Sequence, residues 1–131
     1  MFTHRVKIRL QSTDATGVLY FTEQLKFAME TFEEFIEFKG FNLKQLLDFS
    51  ILLPVVHVEA DYAAALHVSD EIEVGMAVEK VGSSSITLCY QLFDVNRQIQ
   101  VGKVKIVHVA VDRTTQASVP LPDCLKMLFA I

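Results

Sequence analysis

The alternation of apolar and polar positions predicts a strand followed by a long helix at the start of the chain. In residues 4–10 every second side chain is basic and the others are histidine or aliphatic, which is the period of a strand with one buried face. Apolar side chains then recur at helical spacing, at Leu25, Ala28, Met29, Phe32, Phe35 and Ile36. Phe27 and Phe38 lie off this stripe, so we expect a largely apolar helix that packs deeply against a sheet. Gly40 is placed to end it.

The remainder of the chain is predicted to be mainly strands. A short helix is expected over residues 42–49, and Pro54 marks the return to extended chain. Segments rich in Val, Ile and aromatic residues predict strands over residues 55–66, 71–81, 85–93 and 101–111. Most joins are short, and Pro120 and Pro122 are expected to open a C-terminal helix. This order predicts an α+β architecture, with an antiparallel sheet wrapped around one long central helix.

The composition fits one compact domain that covers residues 1–131. Hydrophobic residues make up 51% of the 131 residues, which is enough for a sizeable core. The mean hydropathy of +0.33 is high for a small domain. We therefore expect other subunits to cover part of its apolar surface.

Charge and cysteine usage narrow the function classes. Twelve basic and 16 acidic residues give a net charge of −4 without an extended basic face, so nucleic-acid binding is disfavoured. Cys89 and Cys124 lack zinc-ligand spacing and are predicted to be reduced core thiols. The pattern shows neither a secretion signal nor a bilayer span, so we expect a cytoplasmic protein without membrane association. No phosphate-binding loop, dinucleotide fingerprint or metal-ligand set occurs, so no metal or redox cofactor is expected.

The candidate chemistry lies in residues 14–21, Asp-Ala-Thr-Gly-Val-Leu-Tyr-Phe, between the first strand and the long helix. This segment places a carboxylate, a glycine turn and a helix N-terminus within a few residues. Unpaired N–H groups at a helix start can bind a developing oxyanion while a nearby carboxylate attacks or activates water. The combination suits acyl transfer or hydrolysis. By spacing alone, Asp14 is equally well explained as a residue that stabilises the turn before Gly17.

Residues 13–21 and the Glu- and Phe-rich helix after them resemble the signature of hotdog-fold acyl-CoA thioesterases of the 4-hydroxybenzoyl-CoA thioesterase type. Residues 57–62 (His-Val-Glu-Ala-Asp-Tyr), 68–72 and 81–85 add to the likeness, which covers nearly the whole chain in element order. The resemblance implies an acyl-CoA substrate and a homodimer, commonly doubled to a homotetramer, with thioester sites between subunits. Residues 57–62 are most similar to enzymes that act on 1,4-dihydroxy-2-naphthoyl-CoA.

The resemblance favours catalysis as the role of Asp14, which is predicted to be the nucleophile or the general base. The sequence leaves these two routes open. Gly17 is predicted to allow a tight turn that points the amides of Tyr20 and Phe21 at the thioester oxygen. The Tyr20 side chain could line the acyl pocket or donate a hydrogen bond, although a buried aromatic at such a join more often serves packing.

Substrate-binding residues are predicted at two further places. His57 could contact an aromatic hydroxyl or the thioester, although a lone strand histidine is usually structural. The predicted contacts to the pantetheine and phosphate arm of coenzyme A are Lys80, Gly82, Ser83, Ser84 and Ser85. An ordinary hairpin turn is the plain alternative for that segment. Coenzyme A enters only as part of the substrate.

The sequence thus predicts hydrolysis of an acyl-CoA, with aryl-CoA preferred over long-chain acyl groups. Glu30 and Glu33 are alternative catalytic carboxylates, although glutamates on a helix more often form a solvated face. Two other functions compete with the leading prediction. One is a broad short-chain or acyl-carrier-protein thioesterase, and the other is a noncatalytic hotdog module that binds acyl-CoA, against which Asp14 argues.

Overall fold

The structure is a computed structural model that describes residues 1–130. Its elements in chain order are β1 (Phe2–Lys7), a 3₁₀ helix (Leu10–Ser12), α1 (Glu23–Phe38), α2 (Leu43–Leu47), β2 (Ile51–Leu52), β3 (Val55–Tyr62), β4 (Glu71–Val81), β5 (Ser85–Asp94), β6 (Ile99–Val109), β7 (Val111–Asp112) and α3 (Asp123–Leu128). The main sheet has five antiparallel strands in the order β1-β4-β5-β6-β3. β2 and β7 pair separately.

The core forms where α1 packs on one face of the main sheet. α1 contacts β1, β4 and β6, and every second residue of the central strands is buried beneath it. The fully buried members of that face include Ile72, Val74, Ile86, Leu88, Leu92 and Ile106. Each such side chain contributes about 1.5–3 kcal/mol when it leaves water. The predicted α+β architecture, a sheet wrapped around one long helix, is the one observed.

Two boundaries at the start of the chain differ from the predicted ones. The alternation of buried and exposed side chains continues along the chain as far as Ile8, which is buried, but Leu10 is 72% exposed. β1 ends at Lys7 because the chain then turns, with the Thr13 hydroxyl donating to Leu10 O at 2.7 Å. On α1, Phe27 joins the core whereas Phe38 is exposed, so the apolar face is narrower than predicted at the end of the helix.

β3 is an edge strand with one side unpaired. It pairs with β6 only, and seven of its eight residues are exposed. Val55, Val56 and Val58 are among the exposed large hydrophobic residues. An open edge with apolar side chains is a template for pairing with another strand. The apolar surplus in the composition is therefore concentrated, in part, along this edge.

Both cysteines are free thiols, but they do not share one environment. Cys89 is half-buried and Cys124 is exposed, so the prediction that both are core thiols is wrong. The reason is that Cys89 points to the face of β5 opposite α1, while Cys124 lies on the outer side of α3. Within residues 1–130, no helix combines the length and the apolar character needed to cross a membrane.

Candidate active site

Asp14 lies in a tight turn between the 3₁₀ helix and α1. Its Oδ1 accepts hydrogen bonds from the Thr16 hydroxyl (2.6 Å), the Thr16 N–H (2.8 Å) and the Val18 N–H (3.2 Å). These bonds, that of the Thr16 hydroxyl foremost, lower the pKa of Asp14 below its ordinary value, because they stabilise the charged form. No group in residues 1–130 donates to Oδ2. Asp14 therefore stabilises the turn and also presents an ionised oxygen to its surroundings.

Gly17 gives this turn its shape. Its φ of +80° lies in the left-handed region, which side-chain-bearing residues rarely adopt. The Gly17 N–H donates to Asp14 O at 3.1 Å, and Gly17 O accepts from the Val68 N–H at 3.0 Å. The turn thus needs a glycine, as predicted, and is tied to the segment that leads into β4.

The backbone from Tyr20 to Thr22 precedes α1, which begins at Glu23 with Thr22 as its N-cap. The Tyr20 N–H donates to Ser12 O at 2.9 Å and is occupied. This corrects the prediction that the Tyr20 amide faces the thioester. Tyr20 O accepts from the Glu23 N–H at 2.9 Å, and in a trans peptide the Phe21 N–H points away from that carbonyl. No acceptor in the described part of the chain takes the Phe21 N–H, so it is the candidate oxyanion donor.

The side chains of Tyr20 and Phe21 both lie on the surface. They are 51% and 59% exposed, and their rings tilt against each other with centroids 4.9 Å apart. Within one protomer, Tyr20 is therefore not a buried packing residue, the role that an aromatic at such a join more often has. Two exposed aromatic rings a few residues after the Asp14 turn form apolar surface suited to a ligand or a second subunit.

A cavity of about 310 Å³ opens between the turn at Phe21, the start of α1 and the segment after β3. Its walls include Val18, Leu66 and three consecutive alanines at residues 63–65, with aromatic surface from Phe21 and Tyr62. Val18 joins the cavity to the carboxylate, because its N–H donates to Asp14. The volume lies at the lower end of the range for ligand sites, about 300–1,000 Å³.

Two polar residues at this cavity, Gln24 and Tyr62, were not predicted as site residues. Gln24 is only 2% exposed, and its Nε2 donates to Asp61 O at 2.9 Å and Lys103 O at 3.3 Å. The hydroxyl of Tyr62 donates to Phe21 O at 2.6 Å. The available signals were a glutamine next to the apolar face of a helix and, for Tyr62, its place at the end of the 57–62 segment. Neither signal specifies a partner.

His57 is not brought to this cavity. It is exposed on β3, and its Nε2 lies 3.1 Å from Glu59 Oε2. Five residue steps along the strand, roughly 17 Å, separate it from Tyr62. Within one protomer His57 therefore belongs to the open sheet edge rather than to the site around Asp14.

The predicted coenzyme A contacts lie at the opposite end of the sheet from Asp14. They flank the turn between β4 and β5, where the Gly82 N–H donates to Ser85 O at 2.8 Å, and Ser83 O and Ser84 O accept from the Leu121 and Ala110 amides. Lys80 lies on β4 and is exposed. β4 has 11 residues and spans roughly 33 Å. One protomer therefore does not bring these residues together with Asp14.

Glu30 and Glu33 lie on the exposed side of α1. Glu30 contacts His4 at 3.3 Å, and neither glutamate lines the cavity beside Asp14. They form the solvated face that glutamates on a helix usually form. Within residues 1–130, no group of three or more His, Cys, Asp or Glu residues has an arrangement that could hold a metal ion.

Comparison with known proteins identifies the family. Residues 8–129 match the model of the thioesterase-like superfamily. The 1,4-dihydroxy-2-naphthoyl-CoA hydrolase of Nostoc punctiforme is 30% identical over 93% of this chain and 82% of its own length, and that of Prochlorococcus marinus strain NATL2A is 35% identical over 92% and 81%. The crystal structure of a 1,4-dihydroxy-2-naphthoyl-CoA thioesterase from Synechocystis superposes with a TM-score of 0.91 at 22% identity, over 98% of this chain and 94% of that one. The predicted hotdog fold is thereby confirmed, and the chain belongs to the thioesterase-like superfamily.

Proposed function

We propose that the protein is an acyl-CoA thioesterase that hydrolyses an aryl-acyl-CoA to the free acid and coenzyme A. The observation that carries the proposal is the Asp14 carboxylate, which is held ionised and whose Oδ1 accepts from the N–H of Val18, a residue that lines the same cavity as Phe21. A carboxylate and an unpaired N–H, joined here through residues that line one cavity, are the two groups that thioester hydrolysis needs.

Asp14 can act in either of two ways. If Oδ2 attacks the thioester carbonyl, a mixed anhydride forms, the thiolate of coenzyme A leaves, and water then cleaves the anhydride. If Asp14 is instead the general base, it takes a proton from water, the water oxygen attacks the carbonyl, and the thiolate leaves from the tetrahedral intermediate. In both routes the Phe21 N–H stabilises the negative carbonyl oxygen. Neither route requires a metal or a redox cofactor.

The proposed active unit is a homodimer. In one protomer, Asp14 and the turn at residues 82–85 lie at opposite ends of the sheet. If two copies of β3 pair antiparallel about a two-fold axis normal to the sheet, the two sheets join into one. The Asp14 end of each subunit then lies at the same end of the joined strands as the partner's 82–85 turn. The open edge of β3 and its exposed valines support this pairing. Pairing of two such dimers would give the homotetramer that the sequence resemblance implies.

We propose 1,4-dihydroxy-2-naphthoyl-CoA as the preferred substrate. Support comes from the names of the two curated relatives and from the cavity, where Phe21 and Tyr62 offer aromatic surface and three alanines leave space for a planar ring. In the dimer, Lys80 and the 82–85 turn of the partner subunit would hold the phosphate arm. The two free thiols are consistent with the reducing cytoplasm.

The test is release of coenzyme A from a panel of thioesters by the purified protein. 1,4-Dihydroxy-2-naphthoyl-CoA should give the highest kcat/KM, ahead of benzoyl, short-chain and carrier-protein thioesters. Asp14→Asn should lower kcat by about 100- to 10,000-fold, while asparagine still supports the turn. The matched control is Asp112→Asn, because Asp112 accepts the Thr114 and Thr115 amides in a similar turn and belongs neither to the cavity lining nor to the 82–85 turn.

The outcomes separate the competing functions. A preference for short-chain or carrier-bound acyl groups would replace the substrate assignment and keep the reaction. Binding of acyl-CoA without turnover would make the protein a noncatalytic module. Equal turnover by the Asp14→Asn and Asp112→Asn variants would remove Asp14 from the mechanism.

A further inference from the structure

The end of β3 is tied to the candidate oxyanion turn at two places. The Tyr62 hydroxyl donates to Phe21 O at 2.6 Å. One residue earlier on the strand, Asp61 O accepts from Gln24 Nε2 at 2.9 Å. Both bonds bridge long separations in sequence, 41 and 37 residues. They connect the strand edge to the segment from Phe21 to the first turn of α1.

The position of Gln24 is built into the sheet. The residue is 2% exposed, and its amide group lies against Gly102 of the sheet. A Cβ at Gly102 would lie 2.5 Å from Gln24 Oε1, which is closer than real contacts allow. The absence of a side chain at residue 102 is thus what lets Gln24 reach Asp61 and Lys103.

The two peptide planes beside Phe21 are held separately. Tyr20 O accepts from the Glu23 N–H at 2.9 Å, which sets the plane that contains the Phe21 N–H. The Tyr62 hydroxyl holds the next carbonyl, Phe21 O. Residues 20–22 lie outside helix and strand, so without the second bond only part of the turn is restrained. The two planes meet at the Phe21 Cα, so the Tyr62 bond fixes the plane of the Phe21 carbonyl and the Thr22 N–H and, through that Cα, limits how far the plane of the Phe21 N–H can turn.

We propose that Tyr62 is a positioning residue, whose hydroxyl holds the turn at Phe21 so that the Phe21 N–H stays aimed at the thioester oxygen. This proposal rests on the proposed thioesterase function. Tyr62 acts through the backbone of Phe21 and takes no part in bond making. Because Tyr62 ends the strand that forms the proposed dimer edge, pairing of β3 would also steady the turn.

The test compares Tyr62→Phe with the wild-type protein. The variant keeps the aromatic ring and removes only the donor. Loss of one hydrogen bond of this kind should lower kcat about 3- to 10-fold, well short of the roughly 100- to 1,000-fold expected for loss of an oxyanion donor itself. KM for the acyl-CoA and the melting temperature should stay close to wild type.

The control is Tyr90→Phe. Tyr90 is buried under α1, and its hydroxyl has no partner among residues 1–130, so its removal should leave kcat unchanged. A Tyr62→Phe variant with wild-type kcat, or one in which only KM rises, would overturn the proposal.

A second measurement does not depend on activity. The ¹⁵N order parameter of the Phe21 amide should fall in Tyr62→Phe, from about 0.85 toward 0.6, and stay unchanged in Tyr90→Phe. An unchanged value in Tyr62→Phe overturns the positioning role. If the wild-type protein cleaves no thioester, the proposed function fails, while this measurement still decides whether Tyr62 holds the turn.

Discussion

Gly102 and Gln24 offer a sharp test of how α1 is fixed to the sheet. A Cβ at Gly102 would meet three atoms of the Gln24 amide group, at 2.5, 2.7 and 2.8 Å. In Gly102→Ala the amide must therefore leave its place and lose its bonds to Asp61 O and Lys103 O. Two such bonds in a buried setting are worth about 1–3 kcal/mol together. Gly102→Ala should destabilise the protein by that amount, less the roughly 0.5–1 kcal/mol that alanine gains over glycine in a strand.

The same change should be harmless when the amide is gone. In a Gln24→Ala background nothing blocks the new Cβ, and alanine is favoured over glycine in a strand by about 0.5–1 kcal/mol. The double variant Gln24→Ala/Gly102→Ala should thus be as stable as Gln24→Ala or slightly more stable. The expected coupling free energy between the two sites is about 1–3 kcal/mol.

The assay is urea unfolding of all four proteins at one protein concentration, because oligomerisation makes apparent stability depend on concentration. Coupling appears as a Gly102→Ala cost that is present in wild type and absent in the Gln24→Ala background. Equal costs in both backgrounds, within about 0.5 kcal/mol, would show that the clash is relieved elsewhere and would refute this account of Gln24.

Two further predictions concern the catalytic turn and the core. Gly17→Ala should lower the free energy of unfolding by about 1–2 kcal/mol because φ is +80°, and should lower kcat about 10-fold because the turn moves. The control is Gly40→Ala, at φ +94° and with nothing near its Cβ. It should lower the stability and leave kcat unchanged. Burial lowers the pKa of His108 from 6.5, so below that pH the unfolded state takes up a proton that the folded state resists. The stability contributed by His108 is fully present only well above pH 6.5 and should fall as the pH drops through 6.5 toward the lower pKa of the folded state; urea midpoints of His108→Gln that fall as steeply as those of wild type would contradict this.

The strand and helix pattern was predictable because each element carries its own period. Ile86, Leu88 and Leu92 alternate along β5, and Phe32, Phe35 and Ile36 follow the turn of α1, so burial could be deduced locally. The error at Leu10 arose where the alternation continues after the strand has ended. There a hydrogen bond to the Leu10 carbonyl turns the chain, and periodicity carries no information about such bonds.

Some residues of the candidate site were likewise predictable from local sequence, and others were not. Asp14 and Gly17 were predictable because a short acidic and glycine-containing turn before a helix has few conformations. The occupied Tyr20 amide was not, because its acceptor, Ser12 O, depends on how the 3₁₀ helix folds back. Tyr62 reaches Phe21 across 41 residues of chain, and Gln24 reaches Asp61 across 37. No local pattern specifies such contacts.

The sequence by itself determined the order of elements, the family and the acidic turn, because these depend on the spacing of side chains along the chain. Only the tertiary structure decided that the Asp14 turn and the residues 82–85 lie at opposite ends of the sheet. It also decided which amide of residues 20 and 21 is free. The physical reason is that strand pairing and hydrogen bonding join residues that are close in space and often far apart in sequence. Which N–H groups and which strand edges stay unpaired therefore depends on the partners of all the other groups.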